Sequence, residues 1–253
     1  MHKRTILFIV LGGIFVLVTS VYTFSNIFTN TTKQKKKLSL RLQNSEKTMP
    51  KTFVYLTDIV PEVILEMRYF STYNFVGHRI DSYHLPLAIV TKDAAIQIKK
   101  VNQEMKGKGY ALKIFDAYRP QSAVNHFVRW AKDIQDVKIK DIFYPYVDKE
   151  NLFTKGYIAE SSDHSRGSTL DLTLVELLTG KEVDMGSAFD FFGEVSHHGT
   201  NLITSKQVEN RLMLKQTMEK HGFKSYQQEW WHYTLANEPY LDTYFDFAVD
   251  QYK

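Results

Sequence analysis

The sequence contains no cysteine among its 253 residues. This absence excludes a disulfide scaffold, a cysteine nucleophile and a metal site built from thiolates. It is compatible with either an intracellular or an exported protein, since an exported chain can simply avoid thiols. A metal ion bound to this chain would therefore need imidazole and carboxylate ligands.

The sequence also lacks a basic surface of the kind that binds nucleic acids. The formal net charge is +4, but a group of basic residues precedes any expected domain: Lys33, Lys35, Lys36, Lys37, Arg41 and Lys47. Nucleic-acid binding requires clustered lysine and arginine together with groups that read or stack on bases. No nucleic-acid partner is therefore expected.

The N-terminal segment has the pattern of an export signal. Lys3 and Arg4 precede an uncharged run over residues 5–32, whose most apolar part covers residues 6–18. This apolar core of about 13 residues is closer to a signal peptide than to the ~20 residues that span a bilayer, although the longer run also allows an anchor. We expect export, with the protein either membrane-anchored or secreted. The lysines that follow leave a cytoplasmic-facing domain open.

The rest of the chain divides into a linker and one domain. Residues 31–52 are polar and lysine-rich, which is typical of a linker. Apolar residues make up 43% of the chain, enough for a sizeable core. We therefore expect a signal or membrane anchor over residues 1–30, a linker over 31–52 and a single domain over 53–253.

Hydrophobic periodicity and capping residues predict the main elements of this domain. They are a helix over 92–106 capped by Thr91, a strand over 110–116, a helix from Pro120 to Ile134, a strand over 168–174, a helix over 206–221 capped by Ser205, and a strand over 231–235. Strands and helices do not alternate regularly. This order predicts an α+β fold with a mostly antiparallel central sheet flanked by helices.

The strand over 168–174 carries the first candidate metal ligand. Its leucines share one face, while Asp171 points from the other. His164 lies seven residues earlier, and a turn at Gly167 could bring its imidazole beside the carboxylate. Short motifs also arise by chance, so Asp171 could instead cap an element and His164 could be an ordinary loop residue.

A second motif, QEWWHYTL, contains Glu229 and His232. Residues three apart lie on opposite faces of a regular strand. If the strand begins near Trp231, Glu229 belongs to the preceding loop and can turn towards the same cleft as His232. Trp230 and Trp231 could form a dry wall of that cleft or could pack in the core.

Together the two motifs supply the parts of a hydrolytic zinc site. Zinc in such sites takes three protein ligands and leaves one position for water. The ion lowers the pKa of that water towards ~7, and a carboxylate that is not a ligand then accepts the proton. We predict one Zn²⁺ per chain, held by His164, Asp171 and His232, with Glu229 as the general base.

Five motifs in the same order resemble the D-alanyl-D-alanine dipeptidase branch of the zinc DD-peptidases. They are MRYFSTYNFVGHRIDSY (67–83), DAYRP (116–120), GYIAESSDHSRG (156–167), VDMGSAFDFFGEVSHHG (183–199) and EWWHYTL (229–235). The resemblance covers roughly residues 53 to 237. It implies a Hedgehog/DD-peptidase-like fold, a single zinc peptidase domain and hydrolysis of a small D,D-dipeptide, in peptidoglycan fragment turnover or glycopeptide resistance.

The resemblance also implies roles for individual residues. It supports the same zinc ligands, makes Glu229 the general acid and base, and gives Arg119 the stabilisation of the oxyanion of a tetrahedral intermediate. A guanidinium is always charged and suits this role. Without the other motifs, Arg119 would be interpreted as one partner of a surface ion pair. Asp116 could orient Arg119 or could be a structural turn residue.

Further positions concern the ends of the substrate. A free dipeptide is a zwitterion, so its pocket needs an anion for the ammonium and donors for the carboxylate. Asp190 matches a family position for amine recognition, although it could also cap a helix, and Ser162 matches a small hydroxyl near the first ligand. Remaining expectations are a supporting role for His197 and His198, and pocket or core positions for Tyr69 and Tyr73.

Two features depart from the family pattern. Asp163 stands where the family often has a small hydroxyl, and it adds negative charge near the metal or the substrate carboxylate. The export segment is the second. Two other functions remain open: a DD-carboxypeptidase acting on peptidoglycan stem peptides, and a non-catalytic zinc- or cell-wall-binding module. Zinc storage would need neither Glu229 nor Arg119, which counts against the second alternative.

Overall fold

The computed structural model of the protein describes residues 48–252. The predicted signal or anchor and nearly all of the predicted linker lie outside these residues. The helices and strands are β1 (Phe53–Tyr55), α1 (Leu56–Ile59), β2 (Ile64–Leu65), β3 (Ile89–Thr91), α2 (Lys92–Gly107), β4 (Tyr110–Asp116), α3 (Gln121–Lys132), α4 (Lys140–Phe143), β5 (Thr169–Glu176), α5 (Ser205–Lys220), β6 (Phe223–Tyr226) and β7 (Glu229–Leu235). Between residues 48 and 252, no helix is both long and apolar enough to cross a bilayer.

The central sheet has five strands in the order β2-β4-β5-β7-β6. The pairing of β2 with β4 is parallel, and the other three pairs are antiparallel. Strands β1 and β3 form a separate antiparallel pair. This arrangement confirms the predicted α+β fold with a mostly antiparallel central sheet flanked by helices.

Helix α2 forms as its sequence predicts. The side chain of Thr91 accepts a hydrogen bond from the backbone N–H of Ala94 at 3.4 Å, which caps the first turn. The apolar stripe is completely buried: Ala94, Ala95, Ile98, Val101 and Met105. Burial of this stripe against the neighbouring strand β4 fixes the helix on the sheet.

The other two long helices differ from prediction at their ends. Helix α5 is capped by Thr204 and not by Ser205, because Thr204 and Gln207 form a reciprocal capping box. Helix α3 ends at Lys132 and not at Ile134. The backbone leaves the helical conformation at Asp133, and its carbonyl accepts a hydrogen bond from the Lys149 ammonium at 2.6 Å.

Strand β5 lies at the centre of the sheet and is buried on both faces. Leu170, Leu172 and Leu174 are inaccessible to solvent on one face. On the opposite face Asp171 is also buried, at 2% exposure. The alternation predicted from the sequence is present, but the face that carries the carboxylate is covered as well.

Strand β7 begins at Glu229, two residues before the predicted start, so Glu229 is part of the strand. Ser225 pairs with Tyr233 while Tyr226 pairs with Glu229, and one step along β6 therefore spans four residues of β7. Such a bulge interrupts the regular alternation of side chains. Because of it, Glu229 and His232 face the same side despite their spacing of three.

Candidate metal centre and catalytic pocket

Three neighbouring strands bring acidic and imidazole side chains into one row. Asp116 of β4 pairs with Asp171 of β5, and Asp171 pairs with His232 of β7. Side chains of directly paired residues project to the same face of a sheet. The sheet itself therefore places Asp171 between His232 on one side and Asp116 on the other.

His164 reaches this row from a short helical turn over residues 163–166. The Ser162 hydroxyl accepts a hydrogen bond from the backbone N–H of His164 at 3.3 Å. The turn ends at Gly167, whose φ is +84° and whose added Cβ would lie 2.0 Å from the Phe53 ring. Only glycine satisfies both the backbone conformation and this close approach, so the turn at Gly167 determines where the imidazole lies.

The orientation of the His164 ring is set by a backbone carbonyl. Its Nδ1 lies 2.7 Å from the carbonyl oxygen of Ala117. A carbonyl only accepts hydrogen bonds, so Nδ1 carries the proton and Nε2 presents a lone pair. This is the arrangement that a metal-ligating histidine needs.

The three donor groups fit a single zinc ion. His164 Nε2 lies 3.2 Å from Asp171 Oδ2 and 3.3 Å from His232 Nδ1, and the latter lies 3.2 Å from Asp171 Oδ1. Donors held 2.0–2.1 Å from one tetrahedral ion are about 3.3 Å apart. Asp171 Oδ1 is buried without a hydrogen bond. A carboxylate whose two oxygens each face an imidazole nitrogen, one of them without a hydrogen bond, is an environment that a cation completes.

The electrostatics of the cluster keep Asp171 ionised. Burial opposes its ionisation, but His164 and His232 hold the pKa of the carboxyl well below its usual range. A carboxylate must be deprotonated to bind a metal. Asp171 is therefore in the form that binding requires.

Glu229 lies beside the three donors without belonging to them. Its Oε2 is 3.4 Å from His232 Nδ1, and a quarter of its side chain is exposed to the pocket. Burial raises the pKa of Glu229, Asp171 raises it further, and His232 and Arg119 counteract these effects. A carboxylate whose pKa is raised towards neutrality is suited to accept and return a proton.

Arg119 is held in place by an acidic side chain and two aromatic rings. Its Nε donates to Asp116 Oδ2 at 2.9 Å, and its guanidinium lies over the rings of Tyr69 and Phe127 at 4.9 and 5.2 Å. Asp116 is fully buried and also accepts a hydrogen bond from the Tyr83 hydroxyl at 2.6 Å. Asp116 therefore orients Arg119 towards the donor cluster.

Asp190 enters the pocket from a loop. It has a φ of +60°, a conformation that side-chain-bearing residues seldom adopt. The Tyr69 hydroxyl donates to its two carboxylate oxygens at 3.0 and 3.2 Å. Burial raises the pKa of Asp190 well above its usual range, and Asp171 and Glu229 add to this effect. No helix begins at Asp190, so it does not cap one.

These groups surround a cavity of about 250 Å³. Of the candidate residues, those that line it are Tyr69, Arg119, Ser162, Asp163, His164, Asp171, Asp190, Glu229 and His232. Tyr73, His197 and His198 do not line it, and neither do the two tryptophans, which are buried in the core. The structure thus brings together every residue expected to act on metal or substrate, and it assigns Trp230 and Trp231 to packing.

Several residues in and behind the pocket did not follow from the sequence alone. Tyr83 supports Asp116 from a distant loop. Phe75, Phe127, Tyr157 and Phe192 form apolar walls, and an aromatic residue in a sequence does not reveal whether it faces a core or a cavity. The quoted motifs contain Tyr83, Tyr157 and Phe192, and their density of aromatics was the available signal.

The fold and the site define a class of protein. A sheet that presents two imidazoles, one carboxylate and an adjacent free glutamate at a small pocket is typical of single-metal hydrolases with three protein ligands. Comparison with known proteins then gives the family. Residues 49–250 match the family described as D-ala-D-ala dipeptidase, and this chain belongs to that family of zinc metallopeptidases.

Three relatives illustrate the similarity, and each is named D-alanyl-D-alanine dipeptidase. One from Enterococcus faecalis is 44% identical over 201 residues, covering 79% of this chain and 100% of the relative. One from Enterococcus faecium is 42% identical over 78% of this chain and 98% of its own length. One from Escherichia coli is 32% identical over 78% of this chain and 92% of its own length.

Proposed function

We propose that this chain hydrolyses the dipeptide D-alanyl-D-alanine to two molecules of D-alanine, with Zn²⁺ held by His164, Asp171 and His232. The observation that carries the proposal is the convergence of three donor residues, whose nearest side-chain atoms are 3.2–3.3 Å apart, beside the carboxylate of Glu229. The identity of the substrate is inferred from the names of the relatives.

Glu229 moves the proton in the proposed reaction. When bound, zinc supplies a Lewis acid that polarises the carbonyl and makes water a better nucleophile. Glu229 accepts a proton from the attacking water and passes it to the nitrogen of the leaving D-alanine. The water oxygen adds to the carbonyl carbon, the C–N bond then breaks as the departing nitrogen takes up the proton, and one water is consumed for each dipeptide. The raised pKa of Glu229 favours both transfers.

Arg119 stabilises the negative charge that develops on the carbonyl oxygen. Its guanidinium is fixed by Asp116 and lies 3.5 Å from Asp171 Oδ2, at the edge of the donor cluster. A charge held in place before the reaction needs no reorganisation during it. Removal of such a donor typically slows catalysis by about 10²–10³-fold.

Asp190 and Ser162 are the proposed contacts for the two ends of the dipeptide. Burial raises the pKa of Asp190, and an ammonium group bound beside it would lower that pKa again, because a nearby positive charge favours the ionised carboxyl. The Ser162 hydroxyl lies in the pocket wall next to His164 and can donate to the substrate carboxylate. Both assignments rest on their position in the cavity.

The direct test is hydrolysis by purified protein. The zinc-loaded protein should release D-alanine from D-alanyl-D-alanine, a chelator should stop this release, and added zinc should restore it. Among D,D-, L,D- and L,L-dipeptides, the D,D form should react fastest. If the zinc-loaded protein released no D-alanine, the proposed substrate would be wrong.

The same experiment separates the alternatives. A DD-carboxypeptidase would prefer a stem pentapeptide to the free dipeptide, whereas a cavity of about 250 Å³ favours the dipeptide. A non-catalytic wall-binding module would bind peptidoglycan equally well in a Glu229→Ala variant and would hydrolyse neither peptide.

We also propose export, which rests on the sequence of residues 1–30. An exported dipeptidase would act on fragments of peptidoglycan in turnover, whereas a domain facing the cytoplasm would deplete the dipeptide precursor. Cell fractionation and N-terminal sequencing of the mature protein would distinguish a secreted, an anchored and a cytoplasmic form.

A further inference from the structure

The catalytic pocket lies against a second cavity that has no role in the chemistry described above. This second cavity is an open groove of about 840 Å³. Its lining includes Tyr146, Val147, Phe191, Val195 and Leu202. Tyr146 and Leu202 are 84% and 61% exposed, so the groove opens to solvent.

The loop over residues 190–193 and Tyr157 form a wall between the pocket and the groove. In the loop over residues 190–193, Asp190 and Phe192 line the pocket, whereas Phe191 and Gly193 line the groove. Tyr157 lines both cavities, so its ring is their shared boundary.

The ring of Tyr157 is fixed in this boundary by stacking. Its centroid lies 4.8 Å from that of Phe192, with an angle of 11° between the two planes. Phe192 is itself buried and packs on Phe75 and Tyr144. Tyr157 therefore rests on an aromatic stack that continues into the core.

The wall stands at the end of the pocket where a longer peptide would have to leave. Asp190, the proposed partner of the substrate ammonium, belongs to the dividing loop. A residue added to the amino end of the dipeptide would be directed at this loop and at Tyr157. The pocket, at about 250 Å³, is smaller than the roughly 300–1,000 Å³ that is common for drug-sized molecules.

We propose that Tyr157 is the residue that restricts this enzyme to dipeptides, by closing the passage from the amine subsite into the groove. The inference rests on the proposed hydrolysis of D-alanyl-D-alanine and adds the determinant of substrate length. Removal of the ring joins the two cavities, and the groove then receives the amino-terminal part of a longer peptide. The same C–N bond is hydrolysed, and it releases D-alanine and the shortened peptide.

The test compares two substrates in zinc-loaded protein, D-alanyl-D-alanine and L-lysyl-D-alanyl-D-alanine. The Tyr157→Ala variant should raise the ratio of kcat/KM for the tripeptide to that for the dipeptide by about tenfold or more, the scale of steric discrimination in a binding pocket. Tyr157→Phe should keep the wild-type ratio, because it retains the ring and its stacking. Tyr157→Leu, which still packs on Phe192, should give an intermediate ratio and provides a second variant if the alanine form does not fold.

Tyr146→Ala is the matched control. This variant also removes a tyrosine side chain, but from the exposed edge of the groove. It should leave the rates on the dipeptide and the tripeptide unchanged. An unchanged ratio in folded Tyr157→Ala and Tyr157→Leu, or an equal gain in Tyr157→Phe, would overturn the proposal. These outcomes are distinct from failure of the proposed function, in which the wild-type protein would not hydrolyse the dipeptide.

Discussion

Glu229 is the residue whose chemistry can be separated from metal binding. It lies 3.4 Å from the His232 donor atom but is not one of the three converging donors. Glu229→Gln keeps the size of the side chain and removes its ability to accept a proton. We expect kcat on D-alanyl-D-alanine to fall by about 10²–10⁴-fold, the usual contribution of a general base, with zinc still bound.

This prediction is checked by measuring D-alanine release together with zinc content. Glu209→Gln, on the exposed face of α5, is the control and should retain the wild-type rate. A Glu229→Gln protein with one bound zinc and normal turnover would exclude Glu229 as the base.

The buried side chain of His198 makes the folding stability of the protein depend on pH. Burial, with Lys215 and Arg211 nearby, lowers the pKa of His198 to about 4, and its Nε2 has no hydrogen-bond partner. Below pH ~6.5 the unfolded chain takes up a proton at this residue while the folded protein does not. The contribution of His198 to stability therefore decreases as the pH falls from ~6.5 to about 4.

The measurement is urea unfolding at two pH values, about 7.5 and about 5. A His198→Phe variant should lose less stability between them than the wild-type protein. His78→Asn, at an exposed histidine, should lose as much as the wild type. Equal losses in all three proteins would contradict the predicted effect of burial.

For individual residues, the sequence predicts which side chains could bind the metal, but it does not predict which residues surround and support them. His164, Asp171, His232 and Glu229 are recognisable because imidazole and carboxylate are the chemistry that zinc hydrolysis needs. Tyr83 is not recognisable, since its role depends on a 2.6 Å contact with a residue 33 positions away. Such contacts are set by the fold and not by local spacing.

At the level of secondary-structure elements, the C-terminal segment that follows β7 supports the turn that carries His164. The backbone N–H of Phe245 donates to the carbonyl of Ser165 at 2.8 Å. Glu238 accepts two hydrogen bonds from Arg166 at 2.7 and 2.8 Å, and Arg166 also donates to Asp163 at 2.6 Å. The acidic Asp163 beside the metal site is thereby paired with a cation.

Glu238→Ala tests this support. The side chains of Arg166 and Glu238 are 10% and 5% exposed, and breaking a buried ion pair costs on the order of 3 kcal/mol. We expect a lower midpoint of thermal unfolding and a zinc affinity reduced by about 10–100-fold, the usual effect of removing an outer partner of a metal site. Zinc affinity is measured by competition with a chelator.

Glu209→Ala removes an exposed partner of Lys206 and serves as the control, since such pairs contribute ~0–1 kcal/mol. Wild-type zinc affinity in the Glu238→Ala protein would show that the pair of Glu238 with Arg166 does not position His164.

The elements also show where sequence patterns stop being informative. Apolar periodicity predicts α2 because its stripe is buried as the pattern requires. The same reasoning misplaces the start of β7, since a bulge opposite β6 is a property of strand pairing. That bulge is what brings Glu229 to the side of His232.

For the whole molecule, the described residues 48–252 all belong to one compact unit. We expect a protein that begins at Ser45 to fold cooperatively and to hydrolyse D-alanyl-D-alanine with the kcat/KM of the full chain. All residues of the pocket lie after position 68, so none is lost. A tenfold lower kcat/KM in a folded shortened protein would place part of the catalytic machinery before Ser45.

The class of fold follows from the order of strands and helices, and the family from five motifs spread along the chain. The division of the pocket from its neighbouring groove follows from neither. It depends on how the loops around Tyr157 and Asp190 pack against each other, which only the folded molecule contains.

The most direct test of the account is a zinc titration of metal-free protein, followed by the rate of D-alanine release from D-alanyl-D-alanine. We expect the rate to rise in proportion to added zinc and to level off at one ion per chain, and His232→Ala to shift this curve to far higher zinc concentrations. Full activity in chelator-treated protein, or a His232→Ala curve that matches the wild type, would contradict it.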